Sequence, residues 1–140
     1  MKESNQNNMR KSQTLTTAIA CAPKKVYAFV SNPENMPKWA KTFCRSIRKS
    51  AGDEWTIETP QGPMNIRIAP KNNSGILDHT VIPAPGVEVF VPMRVVPNGE
   101  GSEVIFTLFQ QPGMPDENFL SDQDLVRQDL AVLKQVMESD

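Results

Sequence analysis

Hydrophobic positions change their period twice along the chain. Thr14 to Cys21 alternates and is rich in β-branched residues, which predicts a first strand. Pro23 suits the first position of a helix, and Val26, Phe29 and Val30 follow at i, i+3, i+4 as one apolar stripe. Ser31-Asn32-Pro33 ends that helix. Met36, Trp39, Ala40 and Phe43 repeat the stripe, but Pro37 predicts that this second helix is short or bent. From Ser46 the pattern turns to short strands separated by turn residues: Ser46 to Ser50, Glu54 to Thr59, Met64 to Ala69, Ile76 to Ile82, Val87 to Val96 and Ser102 to Gln110. The Asn98-Gly99 pair between the last two is the clearest hairpin signal. Pro112-Gly113-Met114-Pro115 breaks the sheet, and a helix is predicted over Asp116 to Glu138. Its stripe is Val126, Leu130, Leu133 and Met137, with Asp122, Asp124, Asp129 and Lys134 on the wet side. Ser121 and Asp124 have capping-box spacing.

Seven mostly antiparallel strands need a cover for one face, and a terminal helix of this length can lie across them. The expected architecture is α+β, a sheet curled around the long C-terminal helix, with the two short helices closing one end and a cavity in between. The alternation assigns faces. Trp55, Ile57, Met64, Ile66, Ile68, Leu77, His79, Val81, Val87, Val89, Val91, Met93, Val95, Val104, Phe106 and Leu108 form one set, apolar except for His79. The opposite set carries Glu58, Arg67, Asp78, Glu88 and Arg94, which suit a cross-strand charge ladder, together with Phe90, Ile105 and Phe109. Those three apolar residues on an outer face are readable as a homodimer contact or as strands in a different register.

At 140 residues the chain has room for a single core, expected over residues 14–138, with residues 1–13 as a frayed polar tail rather than a secretory signal. No apolar run reaches the roughly 18 residues of a membrane helix. Cys21 and Cys44 are the only cysteines, too few for a disulfide framework, which suits a reduced, cytoplasmic setting. The near-neutral net charge of -1 conceals an asymmetry: residues 1–50 hold ten Lys/Arg and two acids, residues 51–140 five and fourteen. Lys38, Lys41, Arg45, Arg48 and Lys49 form the densest basic stretch, readable as a patch for an anionic partner or as one half of an internally complementary fold. A nucleic-acid partner is not expected.

The run Ala22-Pro23-Lys24-Lys25-Val26-Tyr27-Ala28-Phe29-Val30-Ser31-Asn32-Pro33-Glu34-Asn35-Met36-Pro37-Lys38-Trp39-Ala40 resembles the opening of the START-like, or SRPBCC, superfamily. Val91 to Gly99, Phe106-Thr107-Leu108-Phe109 and the terminal helix are similar to its bacterial polyketide cyclase/dehydrase-like branch. The resemblance spans roughly residues 14–138. It implies the helix-grip fold, a seven-stranded antiparallel sheet wrapped round the C-terminal helix with an internal ligand cavity. It does not imply one activity, because the superfamily includes lipid carriers, hormone and allergen-type binders, aromatic polyketide cyclases and chaperone-activating domains.

His79 is the only histidine, so any imidazole acid–base chemistry falls to it. Facing inward, it could bond a ligand carbonyl or hydroxyl, or be satisfied within the core. Asp78 cannot readily assist, because strand neighbours face opposite ways. The residues expected to line a cavity are Trp39, Trp55, Met64, Ile66, His79, Val91, Met93, Phe106, Leu130 and Leu133. The same side chains are also ordinary core filling. No zinc spacing, P-loop, dinucleotide fingerprint or nucleophile elbow is present, and no metal or cofactor is expected. Three functions compete. The first is binding of a small hydrophobic molecule, the second a polyketide cyclase or dehydratase using His79, and the third a protein-interaction scaffold that needs no ligand.

Overall fold

The computed structural model describes residues 9–139. Strand β1 (Ser12–Ile19) begins two residues before the expected Thr14, and most of the expected polar tail, residues 1–8, lies outside the described residues. Helix α1 (Pro23–Val30) starts on its proline and buries Val26 and Val30. A single 3-10 turn (Pro33–Asn35), capped by the Asn32 side chain, leads into α2 (Met36–Trp39). Pro37 and the turn hold α2 to four residues, as the sequence pattern indicates.

Eight strands follow this order: β1, then β2 (Ser46–Lys49), β3 (Glu54–Thr59), β4 (Gly62–Ile68), β5 (His79–Ala84), β6 (Val87–Val91), β7 (Met93–Asn98) and β8 (Gly101–Phe109). They form two antiparallel sheets rather than one of seven strands: β1-β8-β7, and β2-β3-β4-β5-β6. Pro92 is the cause. It falls inside the expected Val87 to Val96 strand and has no N–H for the ladder, so the strand divides there. Val91 and the residues before it pair with β5, and Met93 and those after it pair with β8.

The sheets stay joined across the break. Thr107 donates to the Pro92 carbonyl at 3.0 Å, Leu77 to Met93 at 2.9 Å and Val95 to Gly75 at 3.0 Å. Gly75 permits this close pairing. It sits at φ +71°, and a Cβ there would lie 2.2 Å from the Val95 carbonyl oxygen. The same crossing shortens the expected Ile76 to Ile82 strand, leaving Ile76 as a lone bridge to Arg94.

Helix α3 (Asp116–Glu138) follows Pro115 and uses no side-chain cap, so the Ser121/Asp124 pair lies inside it. Phe119, Gln123, Leu130 and Leu133 are buried and Val126 partly so, on one helical stripe. The helix packs on β1 and α2. Its C-terminal end is tied to the chain leaving β1. Glu138 accepts from the Ala20 amide at 2.7 Å, and Lys134 donates to the Ala18 carbonyl at 2.8 Å. Asp129 is not on the wet side as the spacing suggested. It is 5% exposed and accepts from the Thr42 amide and hydroxyl at 3.0 and 2.8 Å, locking α3 to the segment after α2.

The face assignment matches the sheet. Ile57, Ile66, Leu77, Val81, Val91, Met93, Val95, Val104 and Phe106 are buried in one core with α1, α2 and α3. Val87 departs from it, 48% exposed beside the turn that opens β6. The charged set forms the expected outer ladder: Arg48–Glu58, Arg67 between Glu54 and Glu88, and Arg94–Asp78.

Candidate ligand-binding site

The inner face of the five-stranded sheet is unevenly covered. Ile57, Ile66 and Val81 are buried, while Trp55, Met64, Ile68, His79 and Val89 on the same face are half-buried. Register interleaves the two sets: Trp55 lies opposite buried Ile66, Met64 opposite buried Ile57, and Val89 opposite buried Val81, while half-buried Ile68 and His79 face each other. Trp55 also faces Lys49 on the edge strand β2, whose ammonium sits 5.0 Å over the indole ring. Arg48 is also engaged, pairing with Glu58, while Lys38, Lys41 and Arg45 are exposed without such a contact among the described residues.

His79 opens β5 and points inward. Its ring meets Phe106 edge-on, with centroids 5.9 Å apart and planes at 62°. Nδ1 lies 3.2 Å from the Leu77 carbonyl. Desolvation by the surrounding protein lowers its pKa below the usual histidine value of 6.5. The Leu77 hydrogen bond and the Asp78 charge oppose that only in part. Asp78 itself faces outward, accepting from the Met93 amide at 2.9 Å and pairing with Arg94, so no carboxylate backs the imidazole.

The ten expected lining residues separate into two groups. Trp39, Ile66, Val91, Met93, Phe106, Leu130 and Leu133 are packed in the core, whereas Trp55, Met64 and His79 are half-buried. Met93, Phe106 and Leu130 are 1%, 8% and 3% exposed. The two best-formed hollows among the described residues are open ones rather than the expected enclosed cavity. One, of about 200 Å³, runs between β1 and α3 beside Leu130. The other, of about 290 Å³, lies at the ends of β4 and β5. Ile68, His79 and Phe90 line it together with Arg67, Asp78 and Thr80.

Gln123 was not anticipated from the sequence. It is 5% exposed on the buried stripe of α3, and its amide makes no hydrogen bond among the described residues. The spacing Phe119, Gln123, Val126, Leu130 carries that signal, because an amide in place of an apolar residue on a buried stripe needs a partner.

With this geometry in place, comparison with known proteins becomes informative. The family model described as polyketide cyclase / dehydrase and lipid transport matches residues 11–138. The chain belongs to this family. No curated protein matches. Among solved structures, XoxI from Bacillus cereus aligns with a TM-score of 0.75 at 18% identity, covering 91% of this chain and 96% of that one. A START superfamily protein from Mycobacterium smegmatis aligns at 0.71 and 10% identity, covering 91% and 97%. DynU16, a protein of the dynemicin biosynthetic locus, aligns at 0.71 and 14% identity, covering 91% of this chain and 47% of that one. At such identities these neighbours establish the shared START-type fold. Family and fold together suggest ligand binding or cyclase-like chemistry. Among the described residues no cluster of three or more His, Cys, Asp and Glu could hold a metal, and no helix is long and apolar enough to cross a membrane. Cys21 and Cys44 are free thiols; burial pushes Cys44 up to about 11, so it is a poor nucleophile at neutral pH.

Proposed function

We propose that this protein binds a small hydrophobic molecule on the incompletely covered inner face of the five-stranded sheet. The ligand touches Trp55, Met64 and His79 and is walled by the packed residues behind them. The observation that carries this reading is the uneven burial of that face. Apolar side chains point inward there yet keep accessible surface, while same-face residues two positions along the same strands are sealed. A ligand that completes the burial of one such side chain gains roughly 25 cal/mol per Å² of apolar area removed from water. His79 supplies a polar group of the kind such a site needs.

The alternative, a cyclase or dehydratase using His79, draws on the same imidazole. It is the weaker reading because Asp78 and Arg94 pair with each other on the opposite face and leave His79 without a charged partner. The expected setting is cytoplasmic and no cofactor is required. Titration with the apolar dye N-phenyl-1-naphthylamine tests the reading. The dye is expected to bind with enhanced emission, to be displaced by flat or long-chain hydrophobes, and to bind about tenfold more weakly to Trp55→Ala and Met64→Ala. Absence of dye binding, or unchanged affinity in both variants, contradicts it.

A further inference from the structure

His79 offers a ligand only one kind of hydrogen bond. Nδ1 is 3.2 Å from the Leu77 carbonyl oxygen, which can only accept, so Nδ1 carries the proton in that contact. In a neutral imidazole the proton is then used up, and Nε2 is left as a bare acceptor. Nε2 has no hydrogen-bond partner among the described residues. It is not sealed either, since Ser31 Oγ is the only fully enclosed, unpartnered side-chain polar atom among the described residues. The ring is held in place by Phe106 on its edge and by the Leu77 carbonyl, two residues back along the chain just before β5. On the same inner face it has half-buried Ile68 directly opposite it on β4, so apolar surface lies beside the ring.

Resting on the binding function proposed above, we propose that His79 is a fixed hydrogen-bond acceptor that selects hydrophobic ligands bearing a hydroxyl donor, a phenol-like O–H, over the corresponding ethers and ketones. A ligand carbonyl finds no donor at Nε2 and leaves two acceptors facing each other, which costs the desolvation of both. An O–H pointing at Nε2 pairs with it. Burial supports this by keeping the imidazole neutral at physiological pH, since protonation would turn Nε2 into a donor and reverse the preference. The preference is therefore a property of one nitrogen, set by a backbone carbonyl on the other side of the ring.

The sole histidine makes a direct test possible. In long-range ¹H–¹⁵N correlation spectra of the ¹⁵N-labelled full chain above pH 7, the ring gives one set of signals. The unprotonated, pyridine-like nitrogen is expected to be Nε2, and its resonance is expected to move on adding 2-naphthol but not 2-methoxynaphthalene. In equilibrium titrations 2-naphthol is expected to bind about tenfold more tightly than 2-methoxynaphthalene or 2-acetylnaphthalene, and His79→Phe is expected to bind all three alike. A pyridine-like Nδ1, equal affinity of the wild type for the naphthol and its methyl ether, or a naphthol preference that survives in His79→Phe overturns the inference while leaving hydrophobic binding intact. If none of the three binds the wild type, the binding reading itself fails and the inference with it. Should His79→Phe not fold, the wild-type spectra and affinities decide alone.

Discussion

At the scale of single residues, three side chains carry tests of their own. Gly75 holds φ +71° with its missing Cβ directed at the Val95 carbonyl. Gly75→Ala combines left-handed strain with a backbone clash, so a loss of about 1–3 kcal/mol is expected in denaturant unfolding. Asp129 is buried and binds Thr42 twice, and desolvation raises its pKa against the pull of those two bonds. Asp129→Ala leaves the Thr42 amide without its partner and is expected to cost about 1–3 kcal/mol at pH 7. His79 titrates below 6.5 in the folded chain. Between its folded and unfolded pKa values the unfolded chain holds the extra proton, so stability is expected to fall as pH drops below about 6.5. Asp78 is the charged neighbour opposing this shift, and its weaker effect leaves the sign unchanged. Comparing pH–stability curves of wild type and His79→Phe isolates the contribution, and identical slopes below pH 6.5 would rule it out. The sequence carried the inward direction of His79, because strand alternation sets it. The buried role of Asp129 was not readable, because its partner Thr42 lies 87 residues away.

At the scale of elements, the helices and turns follow local chemistry closely. Pro23, Pro37 and Asn32 act where short-range rules place them. The expected single strand Val87 to Val96 is where local reading stops. Its alternation runs unbroken through Pro92, so Val91 and Met93 both reach the core, yet the ladder partner changes from β5 to β8 at that residue. Side-chain periodicity reports faces and says nothing of which neighbour receives the hydrogen bonds. In α3 the buried stripe is legible, but its closing contacts with Ala18, Ala20 and Thr42 are long-range. Leu133 is fully buried on that stripe. Leu133→Ala is expected to destabilise by about 2–5 kcal/mol, whereas Lys134→Met, at an exposed ion pair, is expected to cost no more than about 1 kcal/mol. Equal losses would mean that the helix is held by its polar tether rather than by its apolar face.

At the scale of the molecule, the α+β order and the apolar inner face were legible, and the family match over residues 11–138 agrees with both. The enclosed cavity was not legible, because the total apolar content of a sequence does not say how completely two surfaces close on each other. The core is continuous through Met93, Phe106 and Leu130, and the half-buried side chains of the five-stranded sheet's inner face are interleaved with sealed ones. The outer-face residues Phe90, Ile105 and Phe109 do not form an equally exposed patch. Phe90 is 51% exposed, while the other two are half-buried. Native mass spectrometry of freshly purified protein tests the central claim most directly. A species heavier than the bare chain by one small organic molecule, released on activation or displaced by an added hydrophobe, is the outcome expected. Bare chain alone, with no adduct formed when hydrophobic probes are supplied, would contradict it.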